Sequence, residues 1–143
     1  MLITAAGAAR IATAGESLAP AAAVDARQKG FKQMGAAMKH LNEQLGNAGP
    51  DPAALQADAA AIAENAAALP GWFPDGSGAA AGFKTDALDY VWQNRAKFDS
   101  LAGQLLAESR KLADGIGDPS AARAQVKVVG QTCKACHMSF RAD

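Results

Sequence analysis

Cys133-Lys134-Ala135-Cys136-His137 is the stretch from which the fold is read. On a helix, two thiols three residues apart lie at adjacent points of one turn. Each can add to one vinyl group of the same porphyrin, and the next residue supplies an imidazole that can reach the iron. The pentad therefore reads as a c-type attachment site, with haem c as covalent cofactor and His137 as metal ligand. Both cysteines of the chain fall inside it. Other uses of such a pair fit less well. A thioredoxin-like C-x-x-C needs a neighbouring βαβ pattern, and nothing here reads as strand. A structural zinc site needs four N/S ligands, and His40 is the only other histidine, so His40 or a carboxylate would have to join. A disulfide across three helical residues is strained.

Working outward, the pentad sits in a segment that reads as one amphipathic helix from Pro119 to about Arg141. Asp118-Pro119 is an N-cap followed by proline at the first helical position. Val126, Val129, Cys133, Cys136, His137 and Phe140 recur on one stripe, which predicts that both cysteines and the histidine point inward. A third helix is expected from about Thr85 to Ile116, with Val91, Phe98, Leu105 and Leu112 every seven residues. The second opens with Asp51-Pro52 and carries Leu55, Ile62 and Leu69. The first runs from Pro20 to about Leu45 and stops at Gly46-Asn47-Ala48-Gly49-Pro50. Its stripe is Val24, Arg27, Phe31, Met34, Gly35, Met38 and Leu41. Gly30 and Gly35 inside it each cost about 1 kcal/mol relative to Ala, which points to close approach of something flat or of another backbone. Residues 70–84, with Trp72, Phe73 and several Gly, form the longest connection. The expected fold is all-α, an antiparallel four-helix bundle over residues 20–143.

Composition agrees. The 143 residues suit one domain, and half are hydrophobic, but Ala dominates and aromatics number eight. A buried prosthetic group would supply the missing core. Fourteen Lys plus Arg balance fourteen Asp plus Glu, which gives no global charge for nucleic acid or a membrane surface. No apolar run reaches the length of a membrane span. Residues 1–19 are small and weakly apolar, with Ser17-Leu18-Ala19 at their end, but Arg10 and Glu16 interrupt them. A shortened export signal and a retained extension both fit; the export reading is favoured because attachment of this haem needs an exported, enzyme-assisted route.

Several stretches together resemble the cytochrome c′ family, in which a four-helix bundle carries one haem on a C-x-x-C-H near its C-terminus. They are Ala26-Arg27-Gln28-Lys29-Gly30-Phe31-Lys32 and on to Lys39, Trp72-Phe73-Pro74 with its Gly-rich loop, Val91-Trp92, and Thr132 to Arg141. Phe140 stands where Tyr is frequent, so a hydroxyl is lost. The resemblance implies thioether bonds from Cys133 and Cys136, His137 as proximal ligand, Arg27 near a propionate, Arg141 near the proximal side and Phe31 in the distal pocket. Low-spin relatives carry a methionine where Phe31 stands. Phe cannot ligate iron, so the resemblance implies a five-coordinate, high-spin haem that binds small gases such as NO and CO. The alternative is a low-spin electron-transfer cytochrome with a sixth ligand, for which Met34 lies within one turn. Arg27 also reads as an ordinary solvated helix charge, Arg141 as a favourable cation at a helix C-terminus, and His40 as a surface residue. Peroxide chemistry is disfavoured, since it wants a distal acid/base pair. The resemblance further implies a periplasmic location, redox partner proteins and a possible homodimer through the first two helices.

Overall fold

In the computed structural model, residues 18–143 are described; most of the segment read as a signal or extension lies outside them. The helices are α1 (Pro20–Gly46), α2 (Pro52–Ala68), a single turn α3 (Tyr90–Gln93), α4 (Arg95–Asp114) and α5 (Pro119–Phe140). Both expected Asp-Pro starts are present. The Asp51 carboxylate accepts from the Ala53 amide, and that of Asp118 accepts from the Ser120 and Ala121 amides. Each satisfies backbone donors that a helix start would otherwise leave open.

The four long helices form a closed ring in which α1 packs on α2, α2 on α4, α4 on α5, and α5 back on α1. Diagonal pairs do not meet. Direction follows from side-chain bonds. Asn65 Nδ2 donates to Gln33 Oε1 and His40 pairs with Asp58, so α1 and α2 run antiparallel. Gln125 bonds Glu108 and Lys97 bonds Ser139, so α4 and α5 do too. The seven-residue repeats form the core: Leu55, Ile62 and Leu69 from α2 and its end, and Val91, Phe98, Leu105 and Leu112 from α3 and α4, are all buried. Of the four seams, α1–α5 is the loosest.

The expected third helix begins too early and is not continuous. Residues 83–87 are not helical, because their polar groups are committed elsewhere. Thr85 Oγ1 accepts from Arg27 and from the Ala87 amide, the Leu88 amide donates to Phe140 O (2.9 Å), and the Ala142 amide donates to Asp86 O (2.7 Å). Ala87 and Arg141 form an antiparallel bridge, so this segment lies along the end of α5. Asn94 (φ −130°, ψ 60°) breaks the helix again. On either side of it, Trp92 Nε1 and Arg95 Nη2 both donate to Phe73 O, which turns the two flanking side chains toward one carbonyl.

Candidate haem site

The pentad lies beside a shallow cleft of about 430 Å³, lined by Gly130, Cys133, Lys134, His137, Met138 and Arg141 with the last two residues. The expectation that all three pentad side chains point into the bundle needs correction. The buried stripe of α5 runs through Ala122, Val126, Val129, Thr132 and Phe140. Cys133 and Cys136 flank it and are half-buried, while His137 lies a further 100° round the helix and is exposed. The imidazole faces the cleft, not the core. Partial burial, then the charge of Arg141, holds its pKa below the ordinary imidazole value. Burial pushes both thiols up, and the neighbouring Cys133 helps carry Cys136 to about 11.

Two contacts fix how α1 faces α5. Arg123 Nε donates to Leu45 O (2.7 Å), and Met38 Cε lies 3.7 Å from where a Cβ would stand on Gly130. The contacts are seven residues apart on both helices. Seven more along each brings Phe31 level with His137, across the loosest seam. Phe31 is 38% exposed, at the margin of the α1 stripe rather than within it. Its ring meets Trp72 edge-on (5.5 Å) and Phe73 (6.2 Å). From Phe73 the aromatic contacts continue through Phe98 and Phe140 to Tyr90, so one row joins α1, the long connection, α4 and α5.

Gly30 explains the place of Trp72. A Cβ on Gly30 would collide with the indole, whose Cζ2 would be 2.6 Å away, so the ring lies flat on the α1 backbone. The close approach read from Gly30 is thus found. Gly35, read the same way, is exposed with nothing within 4 Å.

Arg27 is not a solvated charge: it is 2% exposed. Nη1 donates to Trp72 O (3.2 Å) and Ser77 Oγ (3.0 Å), and Nη2 to Ser77 O (2.6 Å) and Thr85 Oγ1 (2.9 Å). The guanidinium also lies over the Phe73 and Trp92 rings. All these acceptors are neutral, and among the described residues no carboxylate pairs with it. Burial lowers its pKa. Ser77 and Thr85 have no signature in the sequence; a hydroxyl in a Gly-rich connection carries no periodic signal, and only the fold brings them to Arg27. Met34 is buried in the core at 5% exposure. Arg141 caps α5 and lines the cleft, its amide donating to His137 O. His40, half-buried, pairs with Asp58 on α2, and among the described residues no group of three His, Cys, Asp or Glu could hold a metal ion. No helix among the described residues is long and apolar enough to cross a membrane.

A family model described as Cytochrome C′ matches residues 22–141. Cytochrome c′ of Rhodopseudomonas palustris is 39% identical over 113 residues, which cover 78% of this chain and 76% of that one. The crystal structure of cytochrome c′ from Thermochromatium tepidum superposes with a TM-score of 0.80 at 27% identity, over 90% of this chain and all of that one. A mutant cytochrome c prime from Alcaligenes xylosoxidans, solved as its nitric oxide complex, gives a TM-score of 0.77 at 26% identity, over 90% of this chain and 99% of that one.

Proposed function

The chain belongs to the cytochrome c′ family, whose members bind haem c covalently, and on that premise we propose that Cys133 and Cys136 hold the haem and His137 ligates its iron. The donor set fits. The thiols stand three residues apart beside a cleft, the imidazole faces that cleft, and the seam next to it is the least closed of the four. Arg27 supplies a second sign of fit. A buried guanidinium with only neutral partners is costly, and a haem propionate would provide the missing anion. When bound, the haem supplies an iron centre for reversible gas binding and one-electron exchange.

The functional reading is carried by the Arg123–Leu45 and Gly130–Met38 contacts, whose seven-residue register, extended one step, sets Phe31 level with His137. A phenyl ring offers the iron no lone pair, and Trp72 and Phe73 extend the wall it belongs to. This wall excludes water and admits small uncharged ligands, so the protein binds NO and CO at a five-coordinate, high-spin iron. The nitric oxide complex of the mutant Alcaligenes relative supports the same reading. Ligation by Met34 has less in its favour, because its thioether is committed to the core. The wall offers no acid/base pair for peroxide chemistry, which supports a binding or electron-transfer role over an enzymatic one. A periplasmic location follows from the exported route that attaches such haems, with residues 1–19 as the export signal. The exposed Ala22, Gly35 and Ala36 of α1 are small enough for the close contact of a homodimer, which sedimentation would detect.

Absorption spectra of the ferric and ferrous protein, with and without CO, test the proposal. A high-spin spectrum that shifts with CO is expected; a low-spin spectrum indifferent to CO would overturn it. Phe31→Met is expected to make the haem six-coordinate and to slow CO binding at least tenfold. An unchanged high-spin spectrum in that variant would mean the register across the seam is wrong.

A further inference from the structure

Among the described residues, two buried side-chain polar atoms have no hydrogen-bond partner: Ser109 Oγ, a neutral hydroxyl, and Nη1 of Arg95, which belongs to a cation. A charged donor left unpaired out of water is the costlier of the two. Arg95 opens α4 and stands seven residues before Ala102, a core residue, so it lies on the inward face of that helix. Its Nη2 donates to Phe73 O (2.5 Å), and its guanidinium lies over the Phe98 ring, 5.8 Å from the centroid. Its one ion pair among the described residues is with Asp99, 4.0 Å from Nε and 58% exposed. That pair is loose and screened by solvent, and it leaves Nη1 without an acceptor. Position adds to the imbalance. A helix dipole disfavours a cation at its N-terminus, and Asn94, at the cap position, makes no cap bond; its side-chain amide donates to Tyr90 Oη instead.

We propose that Arg95 is a second propionate partner, its Nη1 donating to one haem carboxylate while Arg27 meets the other. This rests on the haem assignment made above and adds a residue to it. The two guanidiniums converge on one residue. That of Arg27 lies over the Phe73 ring, 4.9 Å from its centroid, and Arg95 holds the carbonyl of the same Phe73. Haem carries its two carboxylates on one edge, so two cations grouped about a single side chain match them in number and in grouping. Phe73 also ties this pair to the cleft. Its ring meets Phe31 (6.2 Å) and Phe98 (4.7 Å), and Phe98 meets Phe140 (5.3 Å), three residues past His137. Arg95 therefore stands in the row of rings that joins the Phe31 side of the cleft to the helix of the pentad. Water fits less well as the missing acceptor. Phe73 and Phe98, 3% and 2% exposed, flank the guanidinium, and an ordered water needs several polar partners. A cation paired with a propionate holds the porphyrin edge in place, and its charge favours the ferrous over the ferric iron.

The haem-loaded parent, Arg95→Met, Arg95→Lys and Lys97→Gln are to be compared by resonance Raman spectroscopy and redox titration. The propionate-bending bands report hydrogen bonding to the haem carboxylates. In Arg95→Met one band is expected to shift to lower frequency, and the reduction potential to fall. Arg95→Lys is expected to give a smaller shift of the same band, because one ammonium cannot serve Phe73 O and a carboxylate as a fork does. Lys97→Gln removes a cation from the same helix, but its ammonium bonds Ser139 at the surface, so the bands are expected to stay in place. Bands that match the parent in both Arg95 variants, or that move equally in Lys97→Gln, would overturn the proposal. So would an Arg95→Met protein that loses stability in urea yet keeps the parent's bands, which is the mark of a purely structural side chain. Where Arg95→Met does not fold, Arg95→Lys decides alone, and bands identical to the parent's overturn the proposal. A coloured parent whose bands ignore residue 95 keeps the haem and removes Arg95 from it; a colourless parent overturns the haem assignment and the proposal with it.

Discussion

Arg27 shows how much one buried side chain organises. Its four bonds tie α1 to Trp72, Ser77 and Thr85, and so pin the long connection against the helix. Arg27→Met would leave these acceptors unpaired in a place where Ser77 is fully buried, at about 1–3 kcal/mol for each that finds no water. A net loss of at least about 2 kcal/mol is expected from urea denaturation, since removing the unpaired charge offsets part of the cost. Arg27→Lys should recover less than half, because one ammonium cannot span three loop positions. Gly30 is the converse case, where a missing side chain does the positioning. Gly30→Ala must push the Trp72 indole off α1, and a destabilisation of roughly 1–3 kcal/mol is expected, with a red-shifted Trp emission as the ring gains water. Gly35→Ala meets nothing and should instead stabilise by up to about 1 kcal/mol. The two glycines are indistinguishable in sequence, since both break a helical pattern. What separates them is an indole forty-two residues further on, which no local pattern encodes.

Among the elements, legibility follows the source of the signal. α1, α2 and α5 begin where Pro and capping Asp residues say they should, because a cap is a chemical instruction carried within three residues. The third helix starts later than its periodicity predicts, for a matching reason. Thr85 to Asp89 has no residue that forbids a helix; its backbone is claimed by Phe140 and Ala142, more than fifty residues away. The inward aim of His137 failed more narrowly. The pentad does sit on the apolar side of α5, but a stripe defined over twenty residues has a margin, and His137 falls on it. Caps give the cleanest test at this scale. Asp118→Ala removes the acceptor for two amides at the start of α5 and is expected to cost about 1 kcal/mol in urea denaturation. Hydrogen exchange should quicken first at Ser120 and Ala121, with the amides from Val129 onward unaffected. A uniform acceleration along α5 would instead tie the cap to the whole helix.

At the scale of the molecule, the loosest seam of the ring and the two thiols meet in one place, and this couples stability to whether the haem is attached. In a chain without haem, Cys136 keeps its proton up to about pH 11 when folded but would ionise near 9.0 when unfolded, and Cys133 shifts the same way. Between those values the unfolded chain has released protons that the folded chain still holds. Stability from this source is therefore complete below about pH 9 and is lost as pH rises toward 11. Thioether formation removes both titrations, so the haem-loaded protein should not show them. A haem-free Cys133→Ala, Cys136→Ala chain controls for every other effect of alkaline pH. Urea midpoints from pH 8.5 to 11 are expected to fall more steeply for the haem-free parent than for this control. Parallel curves would mean that water reaches the thiols in the folded chain. A haem-free parent with no cooperative transition would mean that the porphyrin itself closes the α1–α5 seam, and that the burial which raises the thiols exists only after they have reacted.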